Sequence, residues 1–229
     1  MGIEVVGVDG DDTLWHNEGY FALSEEMFCS LLAPYVDGGV DLDAALVENE
    51  RRNLELFGYG IKGFMLSMVE TAIEVTEGRV PAVVIQALLD RGKEMLRHPV
   101  ELLDGVAETI EALHGRYTLV LVTKGDLMHQ EQKVARSGLA ERFDFVEIVS
   151  EKDEATYERI LRDVGVAPAQ FVMVGNSVRS DILPVLAIGG RAVHVPYHLT
   201  WDLELAHHDG SVPTLDSFAD LPAWLAAQP

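Results

Sequence analysis

The chain has 229 residues, of which 48% are hydrophobic and 24% charged, a balance typical of a globular protein large enough to bury a core. Its formal net charge of −21 repels nucleic acids and anionic membranes, so we expect neither as a partner. The single cysteine, Cys29, excludes an internal disulfide, and the sequence shows no recognisable signal peptide or membrane span. These features predict a cytoplasmic protein.

The first part of the chain contains one predicted strand followed by a long helical stretch. Ile3–Val8 is a short apolar run that predicts a buried strand. Residues 17–97 carry apolar side chains at helical spacing, interrupted by Gly, Pro and Asp, and show no convincing strand. This pattern predicts a helical bundle inserted after the first strand.

From residue 98 onward, strand and helix patterns alternate. The predicted strands are Tyr117–Val122, Phe143–Val149, Phe171–Val174 and Ala192–Val195. The predicted helices are Gly105–His114, Gln130–Ser137, Ala155–Val164, Ser180–Ile188 and Phe218–Ala227. Such alternation predicts an α/β fold, a three-layer sandwich built on a mostly parallel, Rossmann-like sheet. We expect a core domain of residues 1–16 and 98–229 and a helical domain of residues 17–97.

An acidic run, Asp9-Gly10-Asp11-Asp12-Thr13, follows the first predicted strand. Ligands of open parallel sheets bind beyond the carboxyl ends of the strands, where buried carboxylates are costly unless they are paired or bind a cation. A plain acidic turn is one alternative. A calcium-binding loop is excluded, because Leu14 and Tyr20 stand where that loop needs Gly and Glu. The glycine-rich phosphate loops of kinases and dehydrogenases are also absent from the sequence.

Polar residues also follow three later strands. Thr123 and Lys124 come after the second strand, Lys152 after the third, and Gly175, Asn176 and Asp181 after the fourth. Taken singly, each group is explained by a turn or a helix cap. Together at one edge of a sheet, they would supply the groups that phosphoryl transfer through an aspartyl phosphate needs.

In this order, the four segments resemble the motifs of the haloacid dehalogenase-like hydrolase superfamily. Asp9–Thr13 is similar to the Asp-x-Asp-x-Thr first motif, Thr123 occupies the second and Lys152 the third. Gly175–Asp181 is similar to the fourth motif, with Asn176 where many relatives have Asp. The helical insert resembles the C1-type cap of that superfamily, which indicates its C1-capped phosphatase branch.

The resemblance implies a role for each motif residue. Asp9 would be the nucleophile, Asp11 the general acid and base, Thr123 a ligand of the phosphoryl oxygens, and Lys152 the cation that neutralises them. It implies Mg²⁺ as the cofactor, with a metal-binding set of Asp9, Asp11 through its main-chain carbonyl, Asn176 and Asp181. The expected substrate-binding residues are Gly10, Thr123, Lys124, Trp15 and His16.

The acidic residue at position 11 separates two branches of the superfamily. The dehalogenases lack an acid two positions after the nucleophile, because a departing halide needs no proton, whereas a departing ester oxygen does. We therefore expect a Mg²⁺-dependent phosphomonoester hydrolase that acts on a small phosphorylated metabolite through a phosphoaspartate.

Several alternatives stay open at this point. A phosphomutase or a phosphonate hydrolase of the same superfamily would share most of these residues. A non-catalytic binding module is a further alternative, which Asn176 supports. Lys133 is the alternative to Lys152 as the lysine of the third motif. The sequence makes no prediction of oligomeric state.

Overall fold

The computed structural model describes residues 2–208 and 210–228. Within them lies a five-stranded sheet whose strands all run parallel. The strands are β1 (Val5–Val8), β2 (Thr118–Lys124), β3 (Phe145–Val149), β4 (Phe171–Gly175) and β5 (Arg191–His194). They are arranged in the order β3-β2-β1-β4-β5, so that the first strand of the chain lies at the centre of the sheet.

The described residues also form nine α-helices. The helices are α1 (Glu18–Leu32), α2 (Leu42–Phe57), α3 (Ile61–Val75), α4 (Ala82–Arg97), α5 (Val106–Leu113), α6 (Leu127–Arg136), α7 (Glu154–Val164), α8 (Leu183–Ala187) and α9 (Leu221–Ala226). Asp126 and Asp153 cap α6 and α7, because each carboxylate accepts a hydrogen bond from a main-chain N–H in the first turn. The two helices therefore begin directly beyond the ends of β2 and β3.

Side chains of the sheet alternate between two buried layers. Val6 and Val8 of β1 belong to the same apolar cluster as Ile110 of α5. Val5, whose side chain lies on the opposite face, belongs to the cluster of Ile160 of α7. Because successive strand residues point to opposite faces, continuous apolar runs bury both sides of the sheet. The predicted α/β fold with its parallel sheet between helical layers is confirmed.

The described chain consists of two compact units. One comprises the chain as far as Glu18 and from Val100 onward, and contains the sheet with α5–α9. The other is Gly19–Pro99, which contains α2–α4 and most of α1. This helical unit has an apolar core of its own, which includes Phe28, Leu32, Leu46, Phe64, Met68 and Leu88.

The segment after β4 differs from the helix predicted over Ser180–Ile188. A π-helical turn at Val178–Ile182 comes first, in which the N–H of Leu183 donates to the carbonyl of Val178, five residues earlier. The short helix α8 follows, with Pro184 in its first turn. Proline has no N–H to donate, so no main-chain hydrogen bond runs from Pro184 back into the π-helical turn, and a proline in the first turn is compatible with the start of α8.

No helix in the described part of the chain is both long enough and apolar enough to cross a membrane.

Candidate active site

The carboxyl ends of the three central strands bring the sequence motifs together. Val8 of β1 lies in register with Leu121 of β2 and Val174 of β4, and the N–H of Asp9 donates to the carbonyl of Val174 at 2.9 Å. The residues that follow each strand therefore meet at one edge of the sheet. This edge is the position at which open parallel sheets bind their ligands.

Asp9 shares a buried ion-pair network with Lys152 and Asp181. The Nζ of Lys152 lies 2.5 Å from Oδ1 of Asp9 and 2.7 Å from Oδ1 of Asp181. Burial raises the pKa of Asp9 to about 7, with Asp181 adding to the rise and the Lys152 ammonium opposing it. Burial lowers the pKa of Lys152, but the carboxylates of Asp181 and Asp9 outweigh it and raise that pKa above its ordinary value. The ammonium form of Lys152 is therefore favoured beside Asp9.

Asp11 is held by three donors. Lys133 and Gln130 donate to its two carboxylate oxygens at 2.7 Å and 3.0 Å, and the indole N–H of Trp15 donates at 2.5 Å. Burial raises the pKa of Asp11, but the charge of Lys133 and the three hydrogen bonds outweigh it and leave the pKa below its usual value. In this state the carboxylate is ionised and fixed in orientation.

Gly10 allows the first and second motifs to approach each other closely. A Cβ atom at Gly10 would lie 2.8 Å from Cζ2 of Trp15 and 3.2 Å from Oγ1 of Thr123. The Thr123 hydroxyl is buried and accepts a hydrogen bond from Nε2 of Gln130 at 2.8 Å. The main chain after Asp9 therefore passes directly over Thr123, and a larger residue at position 10 would push the two apart.

Asn176 brings an amide oxygen close to Asp9. The Thr13 hydroxyl donates to Oδ2 of Asp9 at 3.0 Å and lies 3.4 Å from Oδ1 of Asn176, so the two oxygens flank the same group. The main-chain carbonyl of Asn176 is itself within 3.0 Å of Nε2 of His194. Asp181 is fully buried, and its second oxygen accepts from the N–H of Ser177 at 3.0 Å.

These oxygens fit a magnesium ion. Mg²⁺ prefers hard oxygen ligands and is commonly held by one or two carboxylates, with several waters retained. Asp9 and Asn176 would supply side-chain oxygens to such an ion, and the main-chain carbonyl of Asp11 would be a third ligand. Both carboxylate oxygens of Asp181 accept hydrogen bonds from protein groups, as do both oxygens of Asp9. Among residues 2–208 and 210–228, no three His, Cys, Asp or Glu side chains converge on a metal position.

The remaining residues of the predicted substrate-binding set are already engaged by other side chains. The ring of Trp15 is fully buried and reaches Asp11 only through its N–H. His16 is half-buried, with Nδ1 2.7 Å from the hydroxyl of Tyr197. The ammonium of Lys124 is paired with Glu204 at 2.5 Å and with Glu151 at 3.3 Å.

Two residues of this region, Gln130 and Glu204, are missing from the sequence prediction of the site, and a third, Lys133, is named there only as the alternative to Lys152. Gln130 and Lys133 are one turn apart on α6, so their side chains lie on the same face of the helix. That spacing, after a helix cap at Asp126, is the signal that could have identified them. Glu204 lies in an irregular segment after β5, where the sequence offers no corresponding signal.

Comparisons with known proteins point to the same family as the motifs do. A family model described as haloacid dehalogenase-like hydrolase matches residues 3–189. The crystal structure of a haloacid dehalogenase-like family hydrolase from Xanthomonas campestris is 46% identical, covers 99% of this chain and 91% of that chain, and has a TM-score of 0.85. None of the curated proteins compared with the chain matches it.

Two more distant structures share the fold. A 2-haloacid dehalogenase from Pseudomonas syringae pv. Tomato DC3000 is 24% identical, with 98% of each chain covered and a TM-score of 0.65. A protein from Haemophilus somnus 129pt, described as a predicted phosphoglycolate phosphatase, is 20% identical, with 97% of each chain covered and a TM-score of 0.66. At these identities the likeness concerns the fold alone, and it does not distinguish dehalogenation from phosphate hydrolysis.

Proposed function

Since the chain belongs to the haloacid dehalogenase-like hydrolase family and is therefore an enzyme, we propose that it hydrolyses the phosphate ester of a small metabolite with the help of Mg²⁺. The family predicted from the four motifs is confirmed. Membership of a hydrolase family also favours an enzyme over the non-catalytic binding module.

The carboxyl group of Asp11 is the observation that carries the proposal. It lies two residues after Asp9 and is held in place by Trp15, Gln130 and Lys133. An ester oxygen leaves as an alkoxide, which needs a proton, whereas a halide leaves as a stable anion. A fixed carboxyl group at this position is therefore useful for ester hydrolysis and unnecessary for dehalogenation.

The ionised state of Asp11 in the free protein is compatible with a role as an acid. A phosphoryl group that enters the site brings negative charge next to this carboxylate. Like charges disfavour the ionised form and raise the pKa, so substrate binding promotes protonation of Asp11. Lys133 limits that rise and keeps the group able to lose its proton again.

The proposed reaction has two steps. A carboxylate oxygen of Asp9 attacks phosphorus, the bond to the leaving oxygen breaks, and Asp11 gives its proton to that oxygen. Asp11 then takes a proton from water, which attacks phosphorus and releases inorganic phosphate with Asp9 restored. Asp9, Asn176 and the carbonyl of Asp11 would hold Mg²⁺, whose positive charge would let an anionic nucleophile approach an anionic phosphoryl group.

Two further groups stabilise the charge of the transferred phosphoryl group. Lys152 stays charged beside Asp9, and Asp181 fixes its position through the second ion pair. Thr123 and the main-chain N–H groups after Asp9 serve as hydrogen-bond donors to phosphoryl oxygens. In this proposal Asp181 acts on the site through Lys152, and Asn176 provides the oxygen to the metal.

The proposal is tested by released phosphate. Purified protein with Mg²⁺ is incubated with p-nitrophenyl phosphate and a panel of phosphorylated metabolites, and Asp9→Asn is compared with wild type. We expect turnover by wild type and a loss of at least about 10³-fold in Asp9→Asn, because the amide cannot form the covalent intermediate. Asp90→Asn, a change of the same kind at an exposed carboxylate of α4, should keep full activity.

The same panel separates the alternatives. Chloride release from 2-chloropropionate would identify a dehalogenase, and conversion of one sugar phosphate isomer to another would identify a phosphomutase. Aldehyde formation from a phosphonate would identify a phosphonate hydrolase. Absence of phosphate release across the whole panel, or an active Asp9→Asn variant, would contradict the proposed function.

A further inference from the structure

Glu204 connects the ends of two strands through one buried carboxylate. It follows β5 in a short 3₁₀ turn, Asp202–Glu204, and its side chain is 12% exposed. One oxygen lies 2.5 Å from the Nζ of Lys124, which ends β2. The other accepts hydrogen bonds from the hydroxyls of Ser180 at 2.6 Å and Ser177 at 2.7 Å, both of which follow β4.

The contacts of Lys124 extend this cluster toward the third motif. Its side chain is 13% exposed, and its ammonium also donates to the Ser180 hydroxyl at 2.9 Å and to Glu151 at 3.3 Å. The same oxygen of Glu151 accepts from the N–H of Lys152 at 2.9 Å. A continuous polar network therefore runs from Lys124 to the main chain of the lysine beside Asp9.

The charge of Glu204 suits this position. Burial raises the pKa of Glu204, but the Lys124 ammonium and the serine hydrogen bonds outweigh it, and the net pKa lies below its ordinary value. The carboxylate is therefore ionised and opposes the ammonium of Lys124. Charge-assisted hydrogen bonds of this kind are shorter and stronger than neutral ones.

The fourth motif is tied to this segment at several points. Ser177 directly follows Asn176, and its N–H donates to Asp181. The guanidinium of Arg179 donates to the carbonyl of Leu203, next to Glu204. A displacement of Ser177 would thus move both Asn176 and the partner of Lys152.

We propose that Glu204 is a positioning residue, which holds Lys124 and the turn from Ser177 to Asp181 in the geometry that the Mg²⁺ and phosphoryl sites require. The inference rests on the proposed function, since it assigns the metal to Asn176 and its neighbours. Removal of a group that orients metal ligands from outside the coordination sphere typically changes metal affinity or activity 10–100-fold.

The first experiment measures Mg²⁺ binding by titration calorimetry on wild type, Glu204→Gln and Asp202→Asn. We expect the Kd of Glu204→Gln to rise about tenfold with unchanged stoichiometry. Asp202→Asn, an exposed acid of the same 3₁₀ turn, should keep the wild-type Kd. A purely structural role would reduce the number of binding-competent molecules and leave the Kd of those that remain folded unchanged.

A second variant keeps the test decisive if Glu204→Gln folds poorly. Ser180→Ala removes one donor to Glu204 and leaves the ion pair with Lys124, so it should fold and still weaken Mg²⁺ binding several-fold. A wild-type Kd in both variants, or in Ser180→Ala alone if Glu204→Gln does not fold, would overturn the inference. A wild-type protein that binds no Mg²⁺ would overturn the proposed function as well, so the two failures are distinguishable.

A stability measurement tests the ion pair without any enzymatic assay. Glu204→Gln and Lys124→Met should each lower the Tm, because each removes one member of a largely buried ion pair. The loss of Tm in the double variant should be smaller than the sum of the two single losses, since the same interaction can be lost only once. Additive losses of Tm would show that the two residues are not coupled, and would overturn the inference.

Discussion

Asp11 depends on side chains that are distant in the sequence. Two of its three donors, Gln130 and Lys133, lie on α6. They contact Asp11 because α6 follows β2, which pairs with β1, so that the helix begins at the same edge of the sheet. Lys133 also donates to the side chain of Asn17 at 2.7 Å, so one ammonium orients two groups near the first motif. Its position makes it a candidate for the control of proton transfer.

We expect Lys133→Met to lower kcat for phosphate esters by about tenfold or more, because correct protonation and orientation of a general acid commonly contribute 10²–10⁴-fold. The measurement is steady-state phosphate release at saturating Mg²⁺. Lys93→Met provides the matched control, since Lys93 is an exposed residue of α4 that pairs with Asp90. A kcat equal to that of wild type would show that Lys133 does not act through Asp11.

Part of the candidate site could be predicted from sequence because it follows strand ends. The sequence predicts Asp9, Lys152 and Asp181 on that ground, and in the structure they share two ion pairs. It offers Lys133 only as an alternative to Lys152, because a mid-helix lysine has no strand end to place it. Its contact with Asp11 arises from tertiary packing, which no local pattern reveals. Glu204 escaped prediction for the same reason.

At the scale of secondary structure, the close packing of β1 against β4 depends on Gly7. A Cβ atom there would lie 2.5 Å from Cζ of Phe171 and 2.9 Å from Sδ of Met173, both fully buried side chains. Neither can move away without disturbing the core between the central strands. The absence of a side chain at Gly7 is thus required by space and not by backbone angle.

Gly7→Ala is expected to reduce the free energy of unfolding by about 1–3 kcal/mol, the usual cost of overpacking a core. The same change at Gly19, in the first turn of α1, meets no atom within 4 Å and should be neutral or slightly stabilising. Urea denaturation of both variants provides the comparison. Equal stability of the two would contradict the close packing described for β1.

The order of strands and helices was predictable because each element has its own apolar pattern. Strands buried on both faces read as continuous apolar runs, and helices show apolar residues at helical spacing. The sheet order and the π-helical turn at Val178–Ile182 were not predictable. The turn depends on Pro184 and on contacts of the fourth motif with the segment after β5, and these contacts are not local in the sequence.

At the scale of the whole molecule, the formal net charge of −21 opposes the folded state. Repulsion among like charges is stronger in the compact chain than in the unfolded one, and salt screens it over a Debye length that falls from about 30 Å at 0.01 M to about 8 Å at 0.15 M. Acidic side chains outnumber basic ones 38 to 17, so screening should favour folding.

We expect the Tm at pH 8 to rise by several degrees as KCl is raised from about 0.01 M to about 0.15 M, with little further gain above that range. At pH 5.5, closer to the isoelectric point of about 4.6, the net negative charge is smaller, so the repulsion is weaker and the gain should shrink. Thermal unfolding at both pH values measures the effect. A Tm that falls with salt at pH 8 would show that favourable ion pairs outweigh the net repulsion.

The central place of β1 has a consequence for the synthesis of the protein. Val5 pairs with Thr118 and with Phe171, so the strand that carries Asp9 leaves the ribosome more than 100 residues before either neighbour. At about 5–20 residues per second, this interval lasts on the order of ten seconds. During it, Gly19–Pro99 can assemble around its own core, while the first strand stays an unpaired apolar segment of the nascent chain. The central strand of the sheet thus acquires its partners late in synthesis, and until then its apolar residues are exposed to aggregation.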